Sequence, residues 1–583
     1  MDKKRTKKIA KKENLLFDGI ENNNNVTSTN NNEHKLTDEQ QNIISACSKY
    51  NRIKVLAYAG AGKTSTLIAI AKAFPNKSFL YLAFNKAIIE DAKKKFPANT
   101  RIVTVHGLAY SFIIKSFKSM KISNLRAKDL LDLGLDIGNR SLSYEFANFI
   151  VQVFDAYCYS DFSEINTANI MNIINDDLNL KFDFKKIKEF FSIYQLDIDK
   201  NVVDILKQIF DMMMSQKIEM SHNFYLKLFQ IRINNYKKFI NYDYVLLDEA
   251  QDTNDVTLAV FNALNGKKIL VGDPYQKIYG FRKAVNGIEK FDADVTLRLT
   301  TSFRFNDKIA NKANKLLLFF RKETVPIQTM NKTSNVVTTT AYISRTNAKL
   351  IEIIKELYMD HKSFNTARSE KEIFKTPLTL AALARNKNII MRDTDGIYDK
   401  FFLKFEGLYE VEEYNKVIND PNIEFSLKLL TKADYTHDTL LKLFNCANQN
   451  NKIPSNIVLT TAHSAKGLEW DKVVILDDFP DFVSLFIGHG INSTAHLKNM
   501  LLSEDFLAQQ VSEEINLFYV AITRAKTELI CKSFNKLFID EFSYFVKNLH
   551  ESKRKIEELK KKSLESKNKQ TSINNLPEFH ALF

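Results

Sequence analysis

Apolar positions along the chain fall into short runs that alternate with amphipathic stretches, starting near Leu36. Ile53–Ala57 reads as a strand and Lys63–Phe74 as a helix; Phe79–Phe84 reads as a strand and Lys86–Phe96 as a helix. Such alternation predicts a parallel sheet covered by helices. The rhythm stops after residue 108. Residues 109–238 contain very few glycines and read as largely helical, an insertion within an α/β domain. Strands resume at Tyr244–Leu247 and Ile269–Val271. A second α/β pattern begins near Val295, breaks off over 358–453, and resumes at Ile457–Thr460 and Val473–Leu476. Residues 547–569, rich in Lys and Glu, read as a solvated helix. Residues 21–34, ENNNNVTSTNNNEH, hold one apolar residue and read as a disordered linker.

Length changes this picture little: 583 residues, at roughly 150 per domain, suggest about four domains. A content of 45% apolar and 26% charged residues is globular and excludes fibrous or wholly disordered chains. No stretch approaches the roughly 20 apolar residues of a membrane-spanning helix. MDKKRTKKIAKKENLLF is basic but lacks the long apolar run of a secretory signal. Cys47, Cys158, Cys446 and Cys531 lie far apart, without CxxC or Cys/His clustering, so free thiols are expected rather than a zinc or iron–sulfur site.

Charge is unevenly placed. Of the net +14, residues 1–12 supply seven Lys or Arg against one Asp, and residues 551–570 eight against four Glu. Basic tails favour polyanions, nucleic acid first among them, or simply keep the termini soluble.

The strongest chemical signal is AYAGAGKT at 57–64, between a strand and a helix. In a loop of this kind Gly60 and Gly62 let backbone N–H groups approach phosphate oxygens. Lys63 reaches the β and γ phosphates, and Thr64 offers a hydroxyl to Mg²⁺. Ala57 stands where the usual pattern starts with Gly. YVLLDEAQD at 244–252 ends an apolar strand in paired acids: Asp248 suits Mg²⁺, and Glu249 suits orienting or deprotonating the attacking water. An arginine that reaches a γ-phosphate stabilises transition-state charge; Arg304 in LTTSFRF and Arg524 in LFYVAITRAK are two candidates, which sequence physics alone does not single out.

Taken in order, these segments resemble the UvrD/Rep family of superfamily 1 helicases. LTDEQ at 36–40 resembles the adenine-reading Q motif, with Gln40 the reader. AYAGAGKT, AFNKAIIEDA at 83–92, TVHGLAY at 104–110 and LLDEAQD resemble motifs I, Ia, Ib and II. VGDPYQKIYGFR at 271–282 and SFRF at 302–305 resemble motifs III and IV. YISRTNA at 342–348, TTAHSAKGLEW at 460–470 and YVAITRAK at 519–526 resemble motifs IVa, V and VI. YLAFNK, SFRF, SRTNA and EINLFYVAITRAK look nearest to the F-box DNA helicase branch, without an F-box.

The resemblance implies an α/β protein of two RecA-like P-loop NTPase domains with helical insertions. It divides the chain into a tail (1–35), domain 1A (36–108 and 239–294), insertion 1B (109–238), domain 2A (295–357 and 454–546), insertion 2B (358–453) and a charged tail (547–583). ATP and Mg²⁺ are the implied cofactors. They would be held by Gln40, the loop Ala57, Tyr58, Ala59, Gly60, Ala61, Gly62, Lys63 and Thr64, and by Asp248, Glu249 and Gln276 from the first domain. Arg304, Glu469 and Arg524 would come from the second, with Gln276 sensing the γ-phosphate, Glu469 on the ribose and Phe303 on the adenine. Implied DNA contacts are Phe84, Asn85, Thr104, His106, Tyr279, Phe281, Arg282, Thr461 and His463.

The resemblance implies an ATP-dependent, 3′→5′ single-stranded DNA translocase and helicase acting on single strands and on single-strand/duplex junctions. Its place would be the cytoplasm, on the nucleoid, or the nucleus of a eukaryotic or viral system. Two other readings stand beside it: a nucleic-acid-stimulated ATPase that drives a partner such as a nuclease or defence effector, and an RNA-dependent ATPase. ENLLF at 13–17 and FHALF at 579–583 both end in Leu-Phe. They fit either docking in a partner's groove, flanked by lysines, or packing of Leu16, Phe17, Phe579 and Phe583 as ordinary chain ends.

Overall fold

The computed structural model describes residues 35–83, 86–117, 121–135, 140–175, 192, 198–279, 287–330, 337–418, 420–482, 506–533, 535 and 551. The Asn-rich linker, both termini and the stretch read as a solvated helix fall outside these, apart from residue 551, as do Phe84, Asn85, Phe281 and Arg282.

Two parallel sheets organise the chain. The first contains β1 (Arg52–Ala57), β2 (Phe79–Ala83), β3 (Thr100–Thr104), β4 (Tyr244–Leu247), β5 (Lys267–Gly272) and β6 (Val295–Leu299), in the spatial order β3-β2-β4-β5-β1-β6. All five residues of β2 are buried, as expected for a parallel strand covered on both faces. Leu80 and Leu82 pack into the core shared with the insertions, while Phe79, Tyr81 and Ala83 face the opposite core. A short pair, β7 (Thr301–Ser302) with β8 (Gln328–Thr329), follows. The second sheet contains β9 (Thr340–Ser344), β10 (Asn365–Thr366), β11 (Ile457–Thr461), β12 (Trp470–Ile475) and β13 (Ala525–Cys531), ordered β10-β11-β9-β12-β13.

Two boundaries differ from the sequence reading. Val295–Leu299, read as the start of the second α/β unit, pairs in parallel with β1, so the first sheet runs through Leu299. Asn365–Thr366, read as part of the second insertion, is an edge strand on β11.

Between β3 and β4 most of the described residues are helical, with long helices at Arg140–Tyr159 and Ile198–Met214 and a buried aromatic core including Phe149, Phe154, Phe224 and Phe229. Between β10 and β11 stand the helices Glu370–Arg385, Leu408–Ile418, Pro421–Leu430 and His437–Asn450. The two helical sets touch. Tyr144 Oη donates to Glu410 Oε1 at 3.0 Å, Arg126 pairs with Asp399 at 3.2 Å, and Lys404 pairs with Asp129 at 2.8 Å. No described helix is long and apolar enough to cross a membrane, and all four cysteines are free thiols.

Candidate functional site

The loop after β1 turns at two glycines in the left-handed region, Gly60 (φ 73°) and Gly62 (φ 77°); Gly62 caps the helix Lys63–Ala73. Gly60 is required twice over. A Cβ there would lie 2.5 Å from Ser302 Oγ and 2.6 Å from Arg304 Cβ, because Phe303 N donates to Gly60 O at 2.9 Å. Tyr58 N donates to Leu299 O at 3.1 Å, and Ala57, Tyr58, Ala59 and Ala61 are buried. Backbone amides at a helix N-terminus, with a lysine as its first residue, form an anion cradle.

At the end of β4 the paired acids meet this cradle. Thr64 Oγ1 and Tyr81 Oη both donate to Asp248 Oδ2, at 2.9 and 2.8 Å. Lys63 Nζ lies 3.6 Å from Glu249 Oε1. Burial, then the charge of Glu249, raises the pKa of Asp248; its hydroxyl partners and Lys63 oppose this. Glu249 is the reverse case. Burial works against its charge, but Lys63, then Lys466, Gln251 and Arg524, bring it down to about 2. Glu249 also has a left-handed backbone (φ 55°), strain of the kind found at functional sites. Thr64 and Asp248 supply the hard oxygen ligands that Mg²⁺ takes, so these residues fit the ion.

Gln276 is buried and donates to Asp273 Oδ2 at 2.7 Å. Gln40 closes a capping box with Thr37 and donates to Thr66 Oγ1 at 3.0 Å, beside Gly62 and Phe303. Phe303 is 40% exposed, leaving ring surface free at the mouth of the loop.

The segment after β7 and the turn before β13 supply the facing wall. Arg304 Nε donates to Glu469 Oε2 at 2.8 Å and its Nη1 to Thr523 O at 3.1 Å. Arg524 is 1% exposed and rests on the carbonyls of Val520 and Leu468 and the hydroxyl of Thr523. Among the described residues its guanidinium makes no ion pair. Burial, and then the charge of Arg304, brings its pKa down to about 9, against the opposing charges of Glu249 and Asp273. Tyr519 Oη reaches Asp273 Oδ2 at 3.4 Å and accepts from Ala59 N at 3.5 Å, joining the walls.

The expected DNA contacts divide. His106 is half-buried, edge-on to Tyr225 at 5.9 Å. It borders a cavity of about 740 Å³, also lined by Arg126, His222 and Asp399, between the first sheet and both helical sets. Thr104 uses its hydroxyl to cap the next helix at Gly107 N, 2.9 Å away. Thr461 Oγ1 lies 2.8 Å from Ser464 Oγ. Tyr279 is 8% exposed, with the His463 ring 6.2 Å away and Lys466 Nζ 5.3 Å from its own ring centre. Sequence reasoning missed Tyr81, Gln251, Asp252, Asp273, Lys466 and Tyr519. All stand within the strings quoted above, Tyr81 as the first residue of YLAFNK, and that placement was the available signal.

A strand–loop–helix phosphate cradle, an acid pair at the end of a parallel strand two places away in the same sheet, and arginines after β7 and before β13 define a P-loop nucleotide-binding protein of RecA-like fold. Residues 36–296 match the UvrD/REP helicase N-terminal domain, and UvrD/Rep-like helicases of superfamily 1A are the proteins to which the chain is similar. It is 27% identical to F-box DNA helicase 1 of Gallus gallus over 528 residues, covering 85% of this chain and 49% of that protein. It is 28% identical to F-box DNA helicase protein 1 of Schizosaccharomyces pombe over 555 residues, covering 85% and 57%. The chain thus spans about half the length of these relatives. Gabija protein GajB of Bacillus cereus is 26% identical over 561 residues, covering 85% of this chain and 96% of GajB.

Proposed function

We propose that the protein is an ATP-driven DNA helicase and single-stranded DNA translocase moving 3′→5′, with Mg²⁺ as the cofactor ion. The observation that carries this reading is Arg524, a buried cation that makes no ion pair among the described residues, facing a first-domain cradle that contains Lys63 and Glu249. Such a cation is poised for charge that develops on a transferring phosphoryl group. In this reading Lys63 and the loop amides bind the phosphates, and Thr64 and Asp248 hold the ion. Gln40, Phe303 and Glu469 bind the nucleoside, Glu249 activates water, and Arg304 and Arg524 stabilise the transition state. Bound Mg²⁺ would neutralise phosphate charge. Closing and reopening the cleft would advance the chain along a strand. Residues 109–238 and 358–453 would act as insertions 1B and 2B, and Phe84, Asn85, Thr104, His106, Phe281, Arg282, Thr461 and His463 would line the strand's path. The setting would be nucleoid-bearing cytoplasm, or the nucleus in a eukaryotic or viral system.

The test is ATP turnover with single-stranded DNA, single-stranded RNA and no nucleic acid, followed by unwinding of 3′-tailed and 5′-tailed duplexes. Stimulation by DNA and unwinding of the 3′-tailed substrate support the reading; equal or greater stimulation by RNA overturns the DNA assignment. A second reading, an ATPase that drives a partner protein, draws on the nearly full-length similarity to Gabija protein GajB. It expects DNA-stimulated turnover without unwinding by the isolated chain. In that reading the Leu-Phe ends at 13–17 and 579–583 are partner contacts, and deleting either should reduce partner binding while turnover survives.

A further inference from the structure

Gln251 and Asp252 follow the acid pair directly, and neither has a role in the reaction as described so far. Both are buried. Gln251 Nε2 donates to Glu249 Oε2 at 2.5 Å and lies 3.4 Å from Asp252 Oδ2; its Oε1 accepts from Asp273 N at 3.0 Å. Space is reserved for this amide: at Gly272, the last residue of β5, a Cβ would come within 2.4 Å of Gln251 Oε1.

Asp252 receives Lys466 Nζ from the other half of the molecule. Lys466 lies in the turn after β11, and its Nζ also donates to Gln276 O at 2.8 Å. One ammonium group from the second sheet's side therefore rests on two first-domain segments, those carrying Glu249 and Gln276. The other carboxylate oxygen, Asp252 Oδ1, is buried and makes no hydrogen bond within 3.5 Å among the described residues.

We propose that Lys466 and Asp252 form a positioning pair that reports cleft closure to Glu249 through Gln251, so that water is activated only while the turn after β11 is seated on the first domain. This inference rests on the reading of Glu249 as the catalytic base. With the turn seated, Lys466 holds the Asp252 carboxylate, and the Gln251 amide donates closely to Glu249 (2.5 Å) and only weakly to Asp252 (3.4 Å). When the cleft opens and Lys466 withdraws, Asp252 is a buried carboxylate without its cation, and Gln251 Nε2 is a donor within reach. The amide that fixed Glu249 then turns to Asp252, and the base loses its orientation. Turnover is thereby confined to the closed cleft without any change in the residues that bind nucleotide.

The experiment compares Lys466→Met, Lys466→Arg, Asp252→Asn and the Lys466→Met/Asp252→Asn double variant of the full chain. DNA-stimulated ATP turnover and equilibrium binding of a fluorescent ATP analogue are measured for each. Misplacing a catalytic group by about an ångström lowers kcat roughly 100-fold. Lys466→Met should show a fall of that order, with KM and analogue affinity within about threefold of wild type on the same argument. Lys466→Arg should restore most of the rate. The double variant should be no slower than Lys466→Met, because both substitutions remove one interaction. If Lys466→Met does not fold, the double variant, which has no stranded carboxylate, decides on the same kcat-against-KM split. The inference is overturned if Lys466→Met keeps wild-type kcat, if analogue binding falls in step with turnover, or if the two losses multiply. Glu249→Gln is assayed alongside: wild-type turnover there overturns the base assignment itself, independently of the result at Lys466.

Discussion

Thr64 Oγ1 donates to Asp248 Oδ2 at 2.9 Å, joining the first turn of the phosphate-loop helix to the end of β4. The same oxygen accepts from Tyr81 Oη, and Asp248 Oδ1 accepts from Glu249 N at 2.9 Å. Three protein hydrogen bonds therefore hold the carboxylate in place. Preorganisation of this kind separates binding from chemistry, and substitutions at neighbouring positions should affect the two differently.

Lys63→Ala should abolish both. It removes the cation expected at the β and γ phosphates and the nearest positive group to Glu249 Oε1, 3.6 Å away. Turnover measured by phosphate release should fall by at least about 100-fold, and nucleotide affinity should fall with it. Wild-type turnover in this variant would place the phosphate site elsewhere.

Glu249→Gln should affect only the chemistry. Asp248 and Thr64 keep their mutual hydrogen bond, so nucleotide and divalent-ion binding persist. A neutral amide cannot take the water's proton, and kcat should fall by about 10²–10⁴. The variant should also retain a DNA-bound, nucleotide-bound state, seen as slow release of labelled strand. Normal hydrolysis would remove Glu249 from its role.

Much of this site was legible in the sequence because its parts are local. Ile53–Ala57, Lys63–Phe74 and Tyr244–Leu247 each carry their own periodicity, and the structure places the corresponding elements within a residue of those limits. What escaped was pairing. VTLRL at 295–299 reads as a strand, but nothing in five residues says that it hydrogen-bonds to β1 rather than opening a second sheet. The strands at 301–302, 328–329 and 365–366 are two residues each, too short for any period. Tyr81 looks like one apolar residue among five buried ones until β2 is set beside β4 and its hydroxyl meets Asp248. Lys466 and Asp252 are 214 residues apart, and only the approach of the two halves makes them a pair.

Gly60→Ala should separate steric clash from backbone strain. Gly60 (φ 73°) would place a Cβ 2.5 Å from Ser302 Oγ, whereas Gly134 (φ 95°) would meet nothing within 4 Å. Left-handed backbone strain costs about 1–3 kcal/mol at either position. Urea unfolding should show a larger loss for Gly60→Ala than for Gly134→Ala, and only the former should weaken nucleotide binding. Equal losses would mean that the contact between the loop and residues 302–304 relaxes freely.

Phe303→Ala tests the nucleoside face of the site. The ring is 40% exposed, and its edge lies 3.5 Å from where a Gly62 Cβ would stand. If it stacks on adenine, its loss should cost about 1–3 kcal/mol of nucleotide binding, a figure typical of base–aromatic stacking. That appears as a higher KM for ATP with kcat little changed at saturation. A lower kcat with unaltered KM would instead assign Phe303 to holding Arg304 in place.

His463→Asn tests the electrostatics of the wall beside the cleft. Burial, and then the positive charges of Arg345, Arg368 and Lys466, brings the His463 imidazole down to about 4 in the folded protein, from an ordinary value near 6.5. In the unfolded chain the ring takes up a proton as pH falls through about 6.5, whereas the folded protein resists until about 4. The neutral ring therefore contributes stability that is fully present above pH 6.5 and is lost progressively as pH falls to 4. Asp252 works in the opposite sense: burial raises it to about 6, so its protonation favours the folded state as pH falls through that value. A single acid-unfolding curve mixes the two effects, and the comparison has to be between proteins. Measured by urea unfolding across this range, the wild type should lose stability on acidification faster than His463→Asn. Carboxylates common to both proteins cancel in the difference. Parallel curves would mean that the folded protein accommodates a charged imidazole here, and would remove the electrostatic account of this wall.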